Sequence, residues 1–493
     1  MLDINSGAIH SVDSVTYDVI SMYTLILDGK DKDVLISHVI EKHKNTTRDD
    51  IMKIITDVEN LVNSGGLYSP DVFAHIAESK KAFNLKALCL NVSHVCNMSC
   101  EYCFAIPTSS TSSTNPIDLT SHNSSNNLTT PANPSNPTYP TNPTSPTTLA
   151  NPTDPTTLMT LEIAKKAINF LVENSGKINT LDIDFFGGEP LLNWSVVKET
   201  VMYAREIERK IGKKFRFTLT TNGLLIDDDV IDFCNKEMHN VVLSLDGRED
   251  THNKMRKLPS GSGSYETVVD KITRFVETRR GKGYYIRGTY TQENKDFVND
   301  ILHIADLGFK EISLEPAVKG KVENGKSHTF SLADLPEIFH QYETLTIEMQ
   351  RRESLNRGFN FYHYNLDLEN GPCVHKRIAG CGVGTEYMAV APNGDLYPCH
   401  QFIDDKRFLL GNVFSGVNNL YLREEFGRMN IYTKDECKDC WARFYCSGGC
   451  AANAYYSSGS IYKVDEIGCE LFKKRMECAI MMKYTLQPRP FHL

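Results

Sequence analysis

Cys96, Cys100 and Cys103 fall within eight residues, in VSHVCNMSCEYCFA, with the spacing Cys-x3-Cys-x2-Cys. Cysteine thiolates are the usual ligands of iron–sulfur clusters, and a full set is four. Three thiolates hold three irons of a [4Fe–4S] cube and leave the fourth open to a small molecule. A structural zinc site is the competing reading, but zinc spacing normally pairs Cys-x2-4-Cys units with two further ligands downstream. A triplet directly after the apolar run LKALCLNV fits zinc poorly. Cys89, inside that run, reads as a buried strand thiol. Tyr102, between the second and third cysteines, can pack against an adenine held near the cluster or serve simply as a packing residue.

Further polar residues sit where apolar runs end. TLDIDFFGGEPLLN closes on Gly187, Gly188 and Glu189; FRFTLTTNG closes on Asn222; VVLSLDG closes on Ser244 and Asp246; and Arg287 lies in IRGTY. Two adjacent glycines permit close backbone approach to a ligand, or simply a turn. Glu189 places a carboxylate beside an ammonium group. Asn222, Ser244 and Asp246 are ribose hydrogen-bonders, and Arg287 is a partner for a carboxylate.

These positions need a scaffold, and the order of elements supplies one. LEIAKKAINFLVEN, WSVVKETVMYAREIERKIG, DDDVIDFCNKEM, YETVVDKITRFVETRRGK and NDILHIADLG have helical periodicity and alternate with strand-like runs. Alternating strands and helices predict a parallel sheet with right-handed crossovers. Ligands of such sheets bind beyond the C-terminal strand ends, where the polar residues above fall.

The flanking regions differ. Residues 1–84 read as a winged-helix-like module: a strand pair around Ser6-Gly7, then three helices, the third with Asp49 or Asp50 near its N-cap and Gly65-Gly66 at its end. Its expected use is a clamp on an extended leader peptide through an exposed edge strand; a structural cap is the alternative. Residues 106–158, rich in Ser, Thr, Asn and Pro without Lys, Arg or Glu, read as a disordered insertion. Residues 321–370 read as a connecting helix followed by the aromatic FNFYHYNLDL, a channel lining or ordinary core.

Over 493 residues, 41 % hydrophobic and 23 % charged content is that of a soluble enzyme, and a net charge of −9 argues against general nucleic-acid binding. No apolar run is long enough for a membrane helix, the N-terminus lacks the pattern of a secretory signal, and fourteen cysteines point to metal binding in the cytoplasm rather than to disulfides.

CNMSCEYC, GGEP and the β/α alternation resemble the radical S-adenosylmethionine superfamily over roughly residues 85–320. The resemblance implies a partial (βα)6 TIM-like barrel. It also implies that S-adenosylmethionine (SAM) chelates the open iron through its amino and carboxylate groups. An electron from the cluster then cleaves the sulfonium to a 5′-deoxyadenosyl radical. Glu189 would hold the amino group, and Ser244 and Asp246 would contact the ribose.

Residues 371–485 carry Cys381-x12-Gly394-x4-Cys399, then Cys437-x2-Cys440-x5-Cys446-x3-Cys450-x18-Cys469. Two structural zincs are one reading. The pattern resembles a SPASM domain, an extension holding two auxiliary [4Fe–4S] clusters, for three in all. That resemblance implies one site of Cys437, Cys440, Cys446 and Cys469, and another of Cys381, Cys399 and Cys450. Cys373 is a candidate fourth ligand of the second site, or that place stays open for a substrate thiolate. Cys234 and Cys478 read as packing residues.

AGCGVGTEYMAVAPNGDLYPCHQF, INSGAIHSVDSVTYDVI and IRGTYTQEN are similar to maturases of SCIFF peptides, which are short, ribosomally made and cysteine-rich. The similarity implies an oxidoreductase that forms Cys thioether crosslinks in a Cys-rich precursor peptide, served by a ferredoxin- or flavodoxin-like electron donor. His400, beside Cys399, is the candidate base, or it orients that ligand. The alternatives are another SPASM oxidase such as an anaerobic sulfatase maturase, a zinc or iron–sulfur scaffold, and a winged-helix regulator with a redox-sensing cluster.

Overall fold

The computed structural model describes residues 1–78, 83–104, 157–319, 328–369 and 373–486. The expected insertion at 106–158 lies outside the described residues except for Thr157 and Leu158. These return against the end of the first strand, with Leu158 bridged to Ser93.

The strands are β1 (Ala87–Ser93), β2 (Ser99–Cys100), β3 (Thr180–Gly187), β4 (Lys214–Thr221), β5 (Asn240–Ser244), β6 (Arg256–Lys257), β7 (Gly283–Tyr290), β8 (Glu311–Pro316), β9 (Asn360–Phe361), β10 (Tyr387–Val390), β11 (Asp395–Tyr397), β12 (Gly411–Asn412) and β13 (Gly416–Val417). Eleven of them form one sheet in the order β13-β12-β11-β10-β1-β3-β4-β5-β7-β8-β9. From β10 to β9 every pairing is parallel, and β11 to β13 run antiparallel beyond β10. The six consecutive β/α units stand as the sequence pattern predicts, curled into a sheet that does not close into a barrel.

The units pack for the reason their periodicity gives. The helix Leu161–Asn174 buries Ala164, Ala167, Ile168 and Leu171, and the helix Trp194–Ile211 buries Val197, Val201 and Ala204. β4 alternates buried Phe215, Phe217 and Leu219 with more exposed residues. All of β1 is buried, as befits a central strand covered on both faces.

Two features are absent from the pattern reading. FNFYHY supplies β9, a short seventh parallel strand beside β8 with Phe361 fully buried, so its opening residues are core. The C-terminal region is not a separate layer, because β10 pairs in parallel with β1, Ala87 opposite Tyr387, and extends the sheet at its other edge.

The N-terminal module has its own core of Val19, Ile20, Leu35, Ile36, Val39, Ile51, Ile55 and Val58. The expected strand pair shrinks to a hairpin with a single bridge, Leu2 to Ile9. The helix Arg48–Asn63 is capped by Thr47 in a capping box with Asp50, so Asp50 is the third helical residue and Thr47 the cap itself. The module docks on the C-terminal region. Tyr432 Oη donates to Asp71 at 2.9 Å, Arg443 reaches Asn5 at 2.8 Å and Asp71 at 3.2 Å, and Phe73 meets Phe444 edge-on at 5.1 Å.

The loop after β1 is pinned to the end of β3 by backbone alone. Gly188 N donates to Ser93 O at 2.6 Å and Glu189 N donates to Val95 O at 2.9 Å. A Cβ on Gly188 would stand 2.3 Å from Val95 O, and one on Gly187 (φ +142°) would stand 2.2 Å from Ser93 O. The two glycines therefore admit the cysteine loop itself. Gly188→Ala is expected to destabilise the metal-free protein by about 1–3 kcal/mol, the usual range for forced overpacking. Gly66→Ala, where an added methyl meets nothing nearer than 3.6 Å, is expected to stay close to the parent. Urea unfolding midpoints of the two variants check this.

Candidate active site

The C-terminal ends of β3, β4, β5, β7 and β8 open onto one cavity of about 870 Å³. Its wall includes Cys96, Cys100 and Cys103 at one side and Cys446, Cys450 and Cys469 at another. Gly187, Gly188, Glu189, Asn222, Ser244, Arg287 and His400 also reach it. Most of the sequence-predicted residues are thus gathered around a single space, while Asp246, Cys373, Cys381, Cys399, Cys437 and Cys440 do not line it.

Burial raises the Cys96 thiol to about 12 and the Cys100 thiol to about 11. A thiol in such surroundings is proton-bound until a cation replaces the proton, which is how metal binding and thiol ionisation are linked. Met98 N and Asn222 Nδ2 point at Cys96 Sγ, at 3.4 and 3.7 Å. Backbone and amide donors aimed at a sulfur suit a thiolate ligand.

Glu189 is 1 % exposed and accepts three hydrogen bonds: Leu191 N at 3.0 Å, Thr221 Oγ1 at 2.8 Å and Asn222 N at 2.8 Å. Burial raises its pKa, while the three donors oppose the rise. A carboxylate fixed this way is aimed before any ligand arrives. Asn222 serves the loop more than the open cavity. Its Nδ2 donates to Asn97 Oδ1 at 2.7 Å, and its Oδ1 accepts from Leu224 N.

Asp246 is one of the residues that do not line it. It is fully buried. Its carboxylate accepts from Tyr102 Oη at 2.6 Å and from Thr289 N at 3.0 Å. In this structure the Asp246 carboxylate thus braces Tyr102, which lines the cavity. Tyr102 Oη accepts in turn from Arg256 Nη1 at 2.9 Å.

Arg256 went unnoticed in the sequence. It is 8 % exposed, lines the cavity, and its Nε is buried without a hydrogen-bond partner. The register of β2 with β6 sets Cys100 opposite Arg256, which brings the guanidinium beside the cysteine loop. An orphaned guanidinium N–H at that place fits a ligand carboxylate. Nothing local in THNKMRKLP signals this, since the pairing joins residues 156 positions apart.

On the far wall, Arg287 faces the cavity near Glu315, which also carries the influence of His363 and Arg475. Despite burial, His363 and the guanidinium groups of Arg475 and Arg287 keep the Glu315 carboxyl below its usual range. His400 accepts or donates to Tyr387 Oη at 3.1 Å through Nδ1 and packs against Phe186, ring centres 5.0 Å apart. Burial, aided by Arg287, lowers His400 to about 4, so the ring is neutral at ordinary pH.

The C-terminal cysteines fall into two groups by which charges act on which. Cys399 lies within electrostatic reach of Cys450 and Cys381, and Cys446 and Cys469 lie within reach of Cys437 and Cys440. Cys373 is exposed and lines a separate small cavity with His375 and Lys376, not the main one. Cys89, Cys234 and Cys478 are buried, as packing thiols are. Among the described residues, no three His, Cys, Asp or Glu side chains converge on a position for a single metal ion.

Comparison with known proteins agrees with this layout. Residues 90–301 match the radical SAM superfamily and residues 381–441 match SPASM, an iron–sulfur cluster-binding domain. The chain is 21 % identical over 408 residues to the radical SAM cyclopropyl synthase TigE of Paramaledivibacter caminithermalis, covering 79 % of this chain and 72 % of that one. It is 23 % identical over 390 residues to the serine-type anaerobic sulfatase-maturating enzyme of Bacteroides thetaiotaomicron, covering 74 % and 82 %. Among solved structures, anSMEcpe with bound AdoMet superposes with a TM-score of 0.61 at 18 % identity, covering 82 % of this chain and 95 % of that one. Streptococcus suis SuiB bound to its precursor peptide SuiA superposes at 0.51 and 15 % identity, covering 93 % of each. Among the described residues no helix is long and apolar enough to cross a membrane. The chain thus carries a radical SAM domain over residues 90–301 and a C-terminal SPASM iron–sulfur cluster-binding domain over residues 381–441.

Proposed function

We propose that this enzyme oxidatively modifies a ribosomally made, Cys-rich precursor peptide and forms Cys thioether crosslinks. The observation that carries this reading is the single cavity shared by the Cys96 loop and the auxiliary cysteines Cys446, Cys450 and Cys469. A peptide segment in that space lies within reach of both. That two similar solved structures were obtained with peptides bound, SuiB with SuiA and anSMEcpe with Kp18Cys, supports a peptide as the substrate class.

In this reading Cys96, Cys100 and Cys103 hold the SAM-binding cluster. Cys437, Cys440, Cys446 and Cys469 hold one auxiliary cluster, and Cys381, Cys399 and Cys450 hold the other. When bound, SAM and the first cluster supply a 5′-deoxyadenosyl radical. Glu189 receives the amino group of SAM, Arg256 its carboxylate and Ser244 the ribose, while Tyr102, braced by Asp246, forms a wall of the adenine pocket. Arg287 and Glu315 line the substrate side. His400 orients the Cys399 loop through Tyr387, since a ring held neutral by burial is a weak base at ordinary pH. The N-terminal module binds the leader segment.

Sulfatase-type oxidation of a single Cys or Ser is the second reading, favoured by the 82 % coverage of the Bacteroides enzyme. Mass spectrometry separates the two. A crosslink removes a pair of hydrogens and leaves the cysteine thiol unreactive to alkylation. Formylglycine formation removes sulfur from a cysteine or hydrogen from a serine. An unchanged precursor mass overturns both.

Replacing Cys96, Cys100 and Cys103 together by Ala is expected to abolish deoxyadenosine release and to lower bound iron from about twelve atoms per chain to about eight, each cube holding about four. Liquid chromatography and iron analysis read these outcomes. Arg256→Gln removes a charge-assisted contact of about 1.5–3 kcal/mol, so SAM binding is expected to weaken about 10- to 150-fold. Isothermal titration of the reconstituted enzyme with SAM measures this, and unchanged affinity would take Arg256 out of the site.

A further inference from the structure

Lys434 is 1 % exposed, a place lysine almost never occupies without a partner. It sits just before the helix Asp435–Lys438 that carries Cys437. Its ammonium donates one hydrogen bond, to Gly448 O at 2.8 Å. Gly448 and Gly449, with φ of +85° and +72°, form the turn between Cys446 and Cys450. Lys434 therefore stands where the two auxiliary cysteine groups meet. Cys437, Cys446 and Cys469 of one group and Cys450 of the other lie within electrostatic reach of its ammonium.

A buried ammonium with one carbonyl partner is costly, by several kcal/mol, unless negative charge lies beside it. Protonated thiols supply none. Cluster-bound thiolates supply it from both groups at once, in a buried setting that salt screens weakly. Reduction potentials of iron–sulfur clusters follow net charge, hydrogen bonding and exposure around the sulfurs. A fixed cation nearby favours the reduced, more negative state.

We infer that Lys434 is a counter-ion shared by the two auxiliary cysteine sites and holds the reduction potential of the clusters they bind above the value those ligands alone would give. The inference rests on the reading of these cysteines as cluster ligands. Lys434 is in this sense a positioning residue that acts through the ligands and touches no substrate.

The test uses the full-length chain with Cys96, Cys100 and Cys103 replaced by Ala, so that only auxiliary signals remain. Reconstituted samples of this parent, of Lys434→Met and of Lys434→Arg are titrated with dithionite and followed by electron paramagnetic resonance. The expected result is a midpoint shifted to lower potential in Lys434→Met and near the parent in Lys434→Arg, at equal iron content. Equal midpoints in parent and Lys434→Met overturn the inference and leave the ligand assignment standing. A parent that binds no iron overturns both. Iron lost in Lys434→Met but kept in Lys434→Arg supports the role of the charge, and iron lost in both variants assigns Lys434 a role of shape and overturns it.

Discussion

Everything the site does depends on two chain segments lying closer together than side chains allow. At the ends of β1 and β3, the backbone of Gly187–Glu189 runs against that of Ser93–Cys96. The hydrogen bonds there join main chain to main chain, so the first cysteine is placed by the sheet itself and not by a mobile loop. The same seam fixes Glu189, whose carboxylate then gathers the end of β4 through Thr221 and Asn222. One steric allowance, two missing Cβ atoms, thus orders the cysteine loop, the acidic group and the neighbouring strand end together.

The second layer of order is electrostatic and lies behind the cavity wall. Asp246, Tyr102 and Arg256 form a buried chain of hydrogen bonds in which each group satisfies the next. A buried carboxylate needs such partners, because unpaired it would cost more than the fold can spare. With Tyr102 consumed by Asp246 on one side and Arg256 on the other, the tyrosine cannot turn away from the wall. The guanidinium of Arg256 keeps one buried N–H unspent. The network is therefore closed among Asp246, Tyr102 and Arg256 and leaves that one N–H without a partner.

Much of this was legible in the sequence, and the limits are physical. Periods of two and 3.6 announced the strands and helices because each element buries one face, as β4 and the helix Trp194–Ile211 do. Arg256, β9 and the pairing of β10 with β1 stayed hidden, since each depends on a register between distant segments that no local pattern encodes. Asp246 lies just past the end of β5, as the sequence suggests, and its hydrogen bond with Tyr102 is a further contact of that kind. A sequence shows that a carboxylate closes a strand, yet not that a tyrosine from another loop will donate to it.

The pairing of β10 with β1 bears on how two halves of a chain can share a substrate space. A C-terminal domain hung on a linker would sample many orientations, and its thiols would meet the Cys96 loop only part of the time. Here Ala87 to Leu90 pair in register with Tyr387 to Val390, and Lys86 closes an ion pair with Glu386 at 2.5 Å just before them. A slip of this register by one residue would turn every β10 side chain to the opposite face. It would carry Tyr387, and with it the hydrogen bond to His400 beside Cys399, away from the cavity. The strand that launches the first cysteine loop is thus also the strand that orients the auxiliary cysteines, and the distance between the two chemistries is set by the sheet.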